Sequence, residues 1–255
     1  MKDVCVVIPA AGKGSRLGLK TPKFLVQIGN DYTVADRLLE LFESFDSINV
    51  IMSSWGMKKL KSFLKKKFPS TRCKNIKVWE QNEPTGMGDA IFLASTDFKA
   101  YSYLFVVWGD QALISKNSII KLYDLISNNL SQNIVSVLLT KTHRPYVEYV
   151  FDSKNLKKIK ESREGDICNE QGYSDCGLFA LTTNDLDYFW RLFKEKNAMG
   201  EVTKETNFLP FLQFLCVEQG WEFLPVITNN KSERVGINTK ADLTYVREKI
   251  SKLSK

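Results

Sequence analysis

The chain begins with a loop whose residue types could bind a triphosphate. A short apolar run, Val4 to Ile8, predicts a buried strand, and a glycine-rich loop follows it. Glycine adopts conformations closed to other residues, and successive free N–H groups in such a loop form an anion-binding concavity. Arg16 lies in or just after the loop, and Lys23 follows a proline that fixes the local chain direction. The loop residues expected to contact the nucleotide are Ala10, Ala11, Gly12 and Gly14.

Two common phosphate-binding motifs do not fit this loop. A P-loop would need glycine where Val7 stands and serine or threonine where Gly14 stands. The dinucleotide motif G-x-G-x-x-G would need its third glycine where Leu17 stands. An ordinary strand–turn–helix junction could carry the same glycines, so the function of the loop depends on what the rest of the chain places beside it.

A second segment, residues 79–90, combines polar groups with glycines and could recognise a flat base. It ends an apolar strand and opens a predicted helix. The amide of Gln81 can both donate and accept, which matches the edge of uracil or cytosine. Gly86 would let the base lie against the backbone. A helix N-terminus with turn residues is the alternative interpretation.

A third segment offers a metal ligand. Asp110 follows Gly109 at the tip of the apolar strand Leu104–Trp108. A carboxylate in that place can reach into a crevice and hold Mg²⁺ against phosphate oxygens. A turn or a helix cap would account for the same aspartate.

Strands and helices alternate along the chain, which predicts an α/β fold with a Rossmann-like mixed, mostly parallel sheet and helices on both faces. Ligands of such sheets bind beyond the carboxyl ends of the strands, so the loops after Ile8, Trp79 and Trp108 should converge. A later hairpin and strand should complete the sheet. The predicted strands are Val4–Ile8, Phe24–Ile28, Ile48–Met52, Ile76–Trp79, Leu104–Trp108, Ile134–Leu139, Val147–Phe151, Leu156–Ile159, Gly177–Thr182 and Trp221–Val226.

Length and the absence of repeats or linkers favour one domain over all 255 residues. Within it, residues 1–140 form a nucleotide-binding half and residues 141–255 an acceptor-binding, closing half. The formal charge of +7 raises the possibility of nucleic-acid binding. However, much of the excess lies between Lys58 and Lys67, where the apolar residues have helical spacing, so these lysines are better explained as the solvated face of a helix.

Cysteine and histidine usage argues against a zinc site. The cysteines, Cys5, Cys73, Cys168, Cys176 and Cys216, are odd in number and scattered, and His143 is the single histidine. This pattern favours a reducing compartment. No apolar run has the length of a membrane span, and the apolar core of the N-terminus is too short for a signal peptide. We therefore expect a cytoplasmic protein that binds neither membranes nor nucleic acids.

The pattern G-x-G-x-R followed by Pro-Lys resembles the signature loop of the nucleotidyltransferases that make nucleotide sugars. Here it comprises Gly12, Gly14, Arg16, Pro22 and Lys23. The well-known relative that it resembles most is the uridylyltransferase domain acting on N-acetylglucosamine 1-phosphate. The resemblance covers the chain from Val4 to about Leu243, and it implies the nucleotide-diphospho-sugar transferase fold. The chain ends after its closing helix, so we expect it to lack the left-handed β-helix acetyltransferase domain of bifunctional relatives.

The resemblance also implies a reaction and its site residues. A phosphate oxygen of a phosphorylated acceptor would attack the α-phosphorus of a nucleoside triphosphate, with UTP favoured, and pyrophosphate would leave. Arg16 would clamp the leaving phosphates, and Lys23 would neutralise charge between the reacting phosphates. Mg²⁺ would bind to Asp110 and Asn238, and Glu161 and Asp175 would accept hydrogen bonds from sugar hydroxyls. The base would contact Gln81, Gly86 and Met87.

Four positions depart from the pattern of the uridylyltransferase. Met87 stands in place of threonine, Gln111 follows the aspartate in place of the usual proline, Val147 replaces a glycine and Asp175 an asparagine. These departures leave a nearby alternative open, namely a cytidylyltransferase that acts on a non-sugar phosphate of the alditol or choline type.

Two more distant functions are less favoured. A glycosyltransferase would need an Asp-x-Asp metal motif, and Asp185-Leu186-Asp187 lies at a predicted helix start, where acidic residues are expected for capping reasons. A non-catalytic nucleotide-binding regulator would have no reason to keep Arg16 and Lys23 together with the two metal ligands.

Overall fold

The computed structural model of the chain describes residues 1–12, 14, 17–68, 75–129, 131–196 and 199–253. None of the helices in these ranges is long and apolar enough to cross a bilayer. The strands are β1 Val4–Pro9, β2 Gln27–Gly29, β3 Tyr32–Thr33, β4 Ser47–Ser53, β5 Ile76–Gln81, β6 Tyr103–Val107, β7 Ile134–His143, β8 Val147–Asp152, β9 Asn155–Glu161, β10 Gln171–Thr182 and β11 Glu222–Ile227. The α-helices are α1 Val34–Leu41, α2 Ser54–Lys67, α3 Met87–Phe92, α4 Ser95–Phe98, α5 Lys116–Ser127, α6 Leu186–Glu195, α7 Phe208–Gln213 and α8 Lys240–Leu253.

A mixed sheet forms the centre of the molecule. Within the described ranges it has nine strands, and its main path has the order β11-β7-β10-β6-β1-β4-β5, with β8 paired to β10 and β9 to β8. The strands of the main path pair in parallel except at β10, which is antiparallel to both of its neighbours. The predicted mixed, mostly parallel sheet is therefore confirmed, and the antiparallel strand at its centre comes from the second half of the chain.

Helices cover both faces of this sheet, as predicted. Alternate residues of β1 point to opposite faces, so Val6 packs in one core and Val7 in the other. Helices α1, α2, α5 and α8 contribute to the first core, and α3, α4, α6 and α7 to the second. Because β1 is buried on both sides, its sequence is a continuous apolar run rather than an alternating one.

The prediction of a strand over Phe24–Ile28 was wrong in its first half. Residues Lys23–Leu25 form a short 3₁₀ helix, and only Gln27–Gly29 is extended, paired with β3 outside the main sheet. Pro22 precedes the turn and its carbonyl accepts the N–H of Leu25 at 2.9 Å. Phe24 is fully buried and fixes the turn to the core. Lys23 is therefore presented from a tight turn whose neighbour is packed in the core.

Candidate functional site

Three side chains that are far apart in the sequence meet beyond the carboxyl ends of β1 and β6. The ammonium of Lys23 donates to Asp110 Oδ2 at 3.3 Å and to Asn238 Oδ1 at 2.6 Å. The Lys23 and Asp110 side chains are each 20% exposed, so the ion pair is partly shielded from water. The two residues predicted as metal ligands and the predicted catalytic lysine therefore form one hydrogen-bonded cluster.

Close backbone packing holds Asp110 in this cluster. Its neighbour Gly109 lies against the end of β1, where a Cβ at position 109 would stand 2.9 Å from the Cβ of Ala10. The N–H of Gly109 donates to the Pro9 carbonyl at 3.2 Å, and the Asp110 carbonyl accepts the N–H of Ile237 at 3.1 Å. Burial raises the pKa of the Asp110 carboxyl, and the positive charge of Lys23 opposes that rise.

The amide of Asn238 is held from two sides. Its Nδ2 donates to the Gly236 carbonyl at 3.3 Å, which leaves Oδ1 for Lys23. The N-terminus of α8 follows at once, and there Thr239 and Asp242 exchange hydrogen bonds as a capping box. Because Asp242 also accepts the backbone N–H of Asn238 at 3.0 Å, the cap fixes the residue that precedes the helix.

The cluster lies in a cavity of about 610 Å³ that also contains the predicted acceptor residues. One part of its wall is the start of the chain, and another part is the second half, so the cavity exists only in the folded molecule. The predicted site residues that line it are Ala10, Gly12, Gly14, Lys23, Met87, Asp110, Glu161, Asp175 and Asn238.

A second cavity, of about 810 Å³, adjoins the first and contains the predicted base-binding residues. Its lining includes Ala11, Gly12, Gln81, Gly86 and Met87, of which Gly12 and Met87 also line the first cavity. Two connected cavities of this kind suit a nucleotide with its base in one and its phosphates in the other.

The structure gives Gly86 a packing role beside any role in base binding. Its φ is +125°, and a Cβ there would collide with the backbone of Thr206. The chain is held at this point by the N–H of Thr206, which donates to the Thr85 carbonyl at 2.8 Å, and by the N–H of Gly88, which donates to the Thr206 carbonyl at 3.0 Å. The Gln81 Nε2 donates to the Gly86 carbonyl at 3.0 Å, so its amide is oriented by the same turn.

The predicted acceptor residues are two buried or half-buried carboxylates with different surroundings. Glu161 is 3% exposed and accepts from Arg163 Nε at 2.9 Å. Asp175 lies where the register between β10 and β7 shifts, and such an irregularity redirects a side chain. Its Oδ1 accepts the N–H of Gly177 at 2.9 Å. Burial raises the pKa of both carboxyls, that of Asp175 to about 6.

Sequence reasoning missed two charged residues that line both cavities, Arg163 and Glu205. Arg163 stands two residues after Glu161, which was a usable signal. No signal in the sequence pointed to Glu205, because a loop brings this residue to the site. Glu164 holds that loop by accepting from Thr203 Oγ1 at 2.6 Å and from the N–H of Val202 at 3.0 Å. The predicted phosphate clamp, Arg16, lies outside the described residues.

The donor set around Asp110 fits a magnesium site that is shared with substrate. Magnesium takes oxygen ligands and is often bound by one or two carboxylates together with substrate phosphates. Asp110 and Asn238 each direct an oxygen at the same ammonium group, which shows that both oxygens can face one cation. Within the described residues, no group of three or more His, Cys, Asp or Glu side chains gathers as a separate metal site.

A family model supports the interpretation of this site as one for a nucleoside triphosphate. The model of the MobA-like NTP transferase domain matches residues 6–170, which include the glycine-rich loop, the base segment and Asp110. The chain belongs to the MobA-like NTP transferase family. The matched range ends before Asp175, so the family match includes Glu161 but not Asp175 at the acceptor end of the cavity.

Curated relatives of this NTP transferase include bifunctional GlmU proteins. The chain is 27% identical over 248 residues to "Bifunctional protein GlmU" of Ruthia magnifica subsp. Calyptogena magnifica, covering 95% of the chain and 51% of that protein. It is 29% identical over 250 residues to the protein of the same name from Buchnera aphidicola subsp. Schizaphis graminum (strain Sg). That match covers 97% of the chain and 51% of the Buchnera protein. The chain therefore spans about half the length of the curated relatives it matches.

A solved structure has the same fold. It is a putative glucose-1-phosphate thymidylyltransferase from Bacillus anthracis, described in complex with a sucrose. The TM-score is 0.76 at 18% sequence identity, and the match covers 96% of this chain and 94% of the other. The chain thus has the α/β nucleotide-diphospho-sugar transferase fold.

Proposed function

We propose that the chain transfers a nucleotidyl group from a nucleoside triphosphate to a sugar 1-phosphate, giving a nucleotide sugar and pyrophosphate. The observation that carries the proposal is the cluster of Lys23, Asp110 and Asn238 in a cavity that adjoins a second cavity lined by Gln81 and Gly86. Family membership supports the triphosphate, and the names of the GlmU and thymidylyltransferase relatives support the sugar 1-phosphate. UTP is favoured by the resemblance of the motifs to the uridylyltransferase domain.

Charge neutralisation and positioning account for the chemistry. The attacking phosphate oxygen of the acceptor is already anionic near pH 7, so the reaction needs no general base. Lys23 would lie between the two phosphates that react and reduce their repulsion, and Arg16 would bind the phosphates that leave as pyrophosphate. Gln81 and Gly86 would hold the base, and Glu161 would accept hydrogen bonds from acceptor hydroxyls.

Asp110 and Asn238 would hold Mg²⁺. When bound, this ion supplies positive charge beside the phosphate oxygens. Lys23 would then exchange its bonds to these two residues for bonds to substrate phosphate, since all three side chains line one cavity. The protein's own task is to keep the Asp110 carboxylate ionised, and the Lys23 charge counters the effect of burial on its pKa.

We further propose that one domain carries the whole site, with residues 1–140 binding the nucleotide and residues 141–255 binding the acceptor and closing the cavity. Lining residues from both halves support this division. We expect the protein in the cytoplasm. The four cysteines in the described ranges carry free thiols, which is consistent with a reducing compartment.

Pyrophosphate release tests the reaction. The protein would be incubated with Mg²⁺ and each of four triphosphates, crossed with a panel of sugar 1-phosphates and other phosphate monoesters. We expect release that requires one triphosphate and one class of acceptor, with UTP giving the highest rate. No release with any pair, together with no shift of Tm by any triphosphate, would contradict the proposed function. A shift without release would instead favour a nucleotide-binding regulator.

A further inference from the structure

The acceptor end of the 610 Å³ cavity contains a carboxylate that lacks a matching cation in the described part of the protein. Asp175 lines this cavity, and none of the ion pairs found in the described ranges includes it. Gln111 also lines the cavity, but its Oε1 is closed to solvent, so a ligand in the cavity does not reach that oxygen. Leaving a carboxylate buried without a cation costs free energy, which a positively charged ligand would recover.

The side chains of Asp175 and Gln111 both lie beside Gly177. A Cβ at that position would lie 2.8 Å from Gln111 Cγ and 2.5 Å from Trp108 Cδ1. Asp175 accepts the N–H of the same glycine, whose φ of +72° turns the chain there. Trp108, Gln111 and Asp175 therefore border one corner of the cavity, which we call the Gly177 corner.

The charges at this corner are unbalanced. Two cationic side chains line the cavity within the described ranges, and both already have carboxylate partners: Lys23 pairs with Asp110 and Arg163 with Glu161. Asp175 has no ion-pair partner in the described ranges, and the positive charge of Arg234, which acts on it from beyond ion-pair distance, only partly offsets the rise of its pKa. Because its pKa rises only to about 6, the carboxyl is mostly ionised at pH 7 in spite of burial.

Aromatic side chains line the same cavity. Trp108 packs on Phe208 with ring centroids 6.0 Å apart, and Tyr146 is a third aromatic residue of the wall. Aromatic rings attract cations, most strongly where water is excluded. An anion without an ion-pair partner in the described ranges and aromatic rings together favour a positively charged nitrogen over a neutral hydroxyl.

The two polar residues of the corner are also positions where this chain departs from the uridylyltransferase pattern. Gln111 stands where a proline is usual, and Asp175 replaces an asparagine. A proline side chain has no hydrogen-bonding group and an asparagine carries no charge. The corner therefore differs in charge and in hydrogen-bonding capacity from the pattern that it resembles.

We propose that the acceptor of this enzyme carries a positively charged nitrogen, which Asp175 binds at the Gly177 corner. This proposal rests on the proposed function for the phosphate of the acceptor and concerns its non-reacting part. Either a primary or a quaternary ammonium group would pair with Asp175 and the aromatic rings.

Pairs of acceptors that differ in this charge alone test the proposal. Glucosamine 1-phosphate would be compared with glucose 1-phosphate, phosphoethanolamine with propyl phosphate, and phosphocholine with 3,3-dimethylbutyl phosphate. We expect kcat/KM for the amine of the preferred pair to exceed that for its neutral partner roughly 10- to 100-fold, which is the range for one hydrogen-bonded charge. Equal or better use of the neutral partner in every pair would overturn the proposal.

An Asp175→Asn variant locates the effect. It should remove most of the preference for the amine, measured as the ratio of kcat/KM for the amine to kcat/KM for its neutral partner, since asparagine keeps the size but not the charge. Asp152→Asn, at the exposed end of β8, is the matched control and should leave the preference intact. An equal loss for both acceptors in Asp175→Asn would mean that this residue acts on structure and not on acceptor charge.

Calorimetric titration separates failure of this proposal from failure of the proposed function. Each acceptor pair would be titrated into the protein with Mg²⁺ and a non-hydrolysable triphosphate analogue. Tighter binding of the amine without any pyrophosphate release would retain the cation site and reject the transferase activity. Release of pyrophosphate that is equally efficient with the neutral and the amine acceptors would retain the transferase activity and reject the cation site. Binding of neither member of any pair would overturn the cation site.

Discussion

The two ends of the catalytic cavity differ in how their charges are balanced. At the phosphate end, Lys23 bridges Asp110 and Asn238, so cation and carboxylate already neutralise one another. At the acceptor end, Glu161 has Arg163, but in the described part of the chain Asp175 has only backbone N–H donors. One end is satisfied by the protein, and the other is left for a ligand.

This difference separates the parts of the site that define a reaction from those that choose a substrate. Charges that must act on any phosphate can be arranged once and held by a rigid backbone, as Gly109 and the α8 cap hold theirs. A group that recognises one acceptor is buried without a partner in the free protein. The free-energy cost of that burial is offset only when the acceptor binds. Removing a charge should therefore have opposite effects on folding stability at the two ends.

The largest effect is expected at the phosphate end. Lys23→Ala and Asp110→Asn should each lower kcat by at least about 100-fold, because each removes a charge that acts on the reacting phosphates. Lys23→Ala should also lower Tm by a few degrees, since it leaves the Asp110 carboxylate without its cation. Steady-state pyrophosphate release and thermal melts would measure both effects.

Lys65→Ala, on the exposed face of α2, provides the control for these variants and should match the unmodified protein in both measurements. Near-normal turnover by a folded Asp110→Asn variant would contradict the assignment of Asp110 as a metal ligand.

At the acceptor end, Asp175→Asn should raise stability at neutral pH. The folded protein raises the pKa of this carboxyl from 3.8 to about 6, so folding favours its protonated form. The associated stability is present in full below pH 4 and is lost as the pH rises through 6. The Asp175→Asn variant does not lose this stability, because asparagine has no carboxyl that ionises as the pH rises. Its Tm should therefore exceed that of the unmodified protein by a few degrees at pH 7 to 8, and by much less at pH 4.

Melting curves of both proteins between pH 4 and pH 8 would measure this difference. A Tm difference that does not change with pH, or a lower Tm for Asp175→Asn at pH 7, would show that the carboxylate is compensated within the protein. The comparison between the two ends of the cavity would then fail.

The smallest effect is expected for the cap of α8, which supports Asn238 at the phosphate end. Thr239→Ala removes the side chain that caps α8 and should cost about 1 kcal/mol of unfolding free energy. Because the same cap fixes Asn238, kcat should fall by a few-fold while KM for the triphosphate changes little. Thr244→Ala is the control, because the Thr244 hydroxyl donates only to the exposed Lys240 carbonyl. Loss of stability with unchanged kcat would limit the cap to a structural role.

The sequence was informative about structure and site wherever one local segment contains both the strand or loop and the groups that would bind a ligand. The apolar run Val4–Ile8 predicted a buried strand, which the structure shows as β1, and the glycines after it predicted a loop at the edge of the sheet. Lys23 was identified from its motif, although the strand predicted around it proved to be a tight turn. Such features depend on neighbouring residues, and local sequence records them directly.

Tertiary structure decided how these segments act on one another. The distances from Lys23 to Asp110 and Asn238 depend on β1, β6 and α8 being packed together, and no local pattern specifies them. The requirement for glycine at position 86 comes from the backbone of Thr206, which is distant in sequence. That none of the described residues forms an ion pair with Asp175 is likewise visible only when the cavity wall is assembled. The sequence alone determined which groups could bind phosphates, base and metal. The fold decided which charges were paired and which were left for the acceptor, because pairing depends on distances of a few ångströms between segments that only the folded chain brings together.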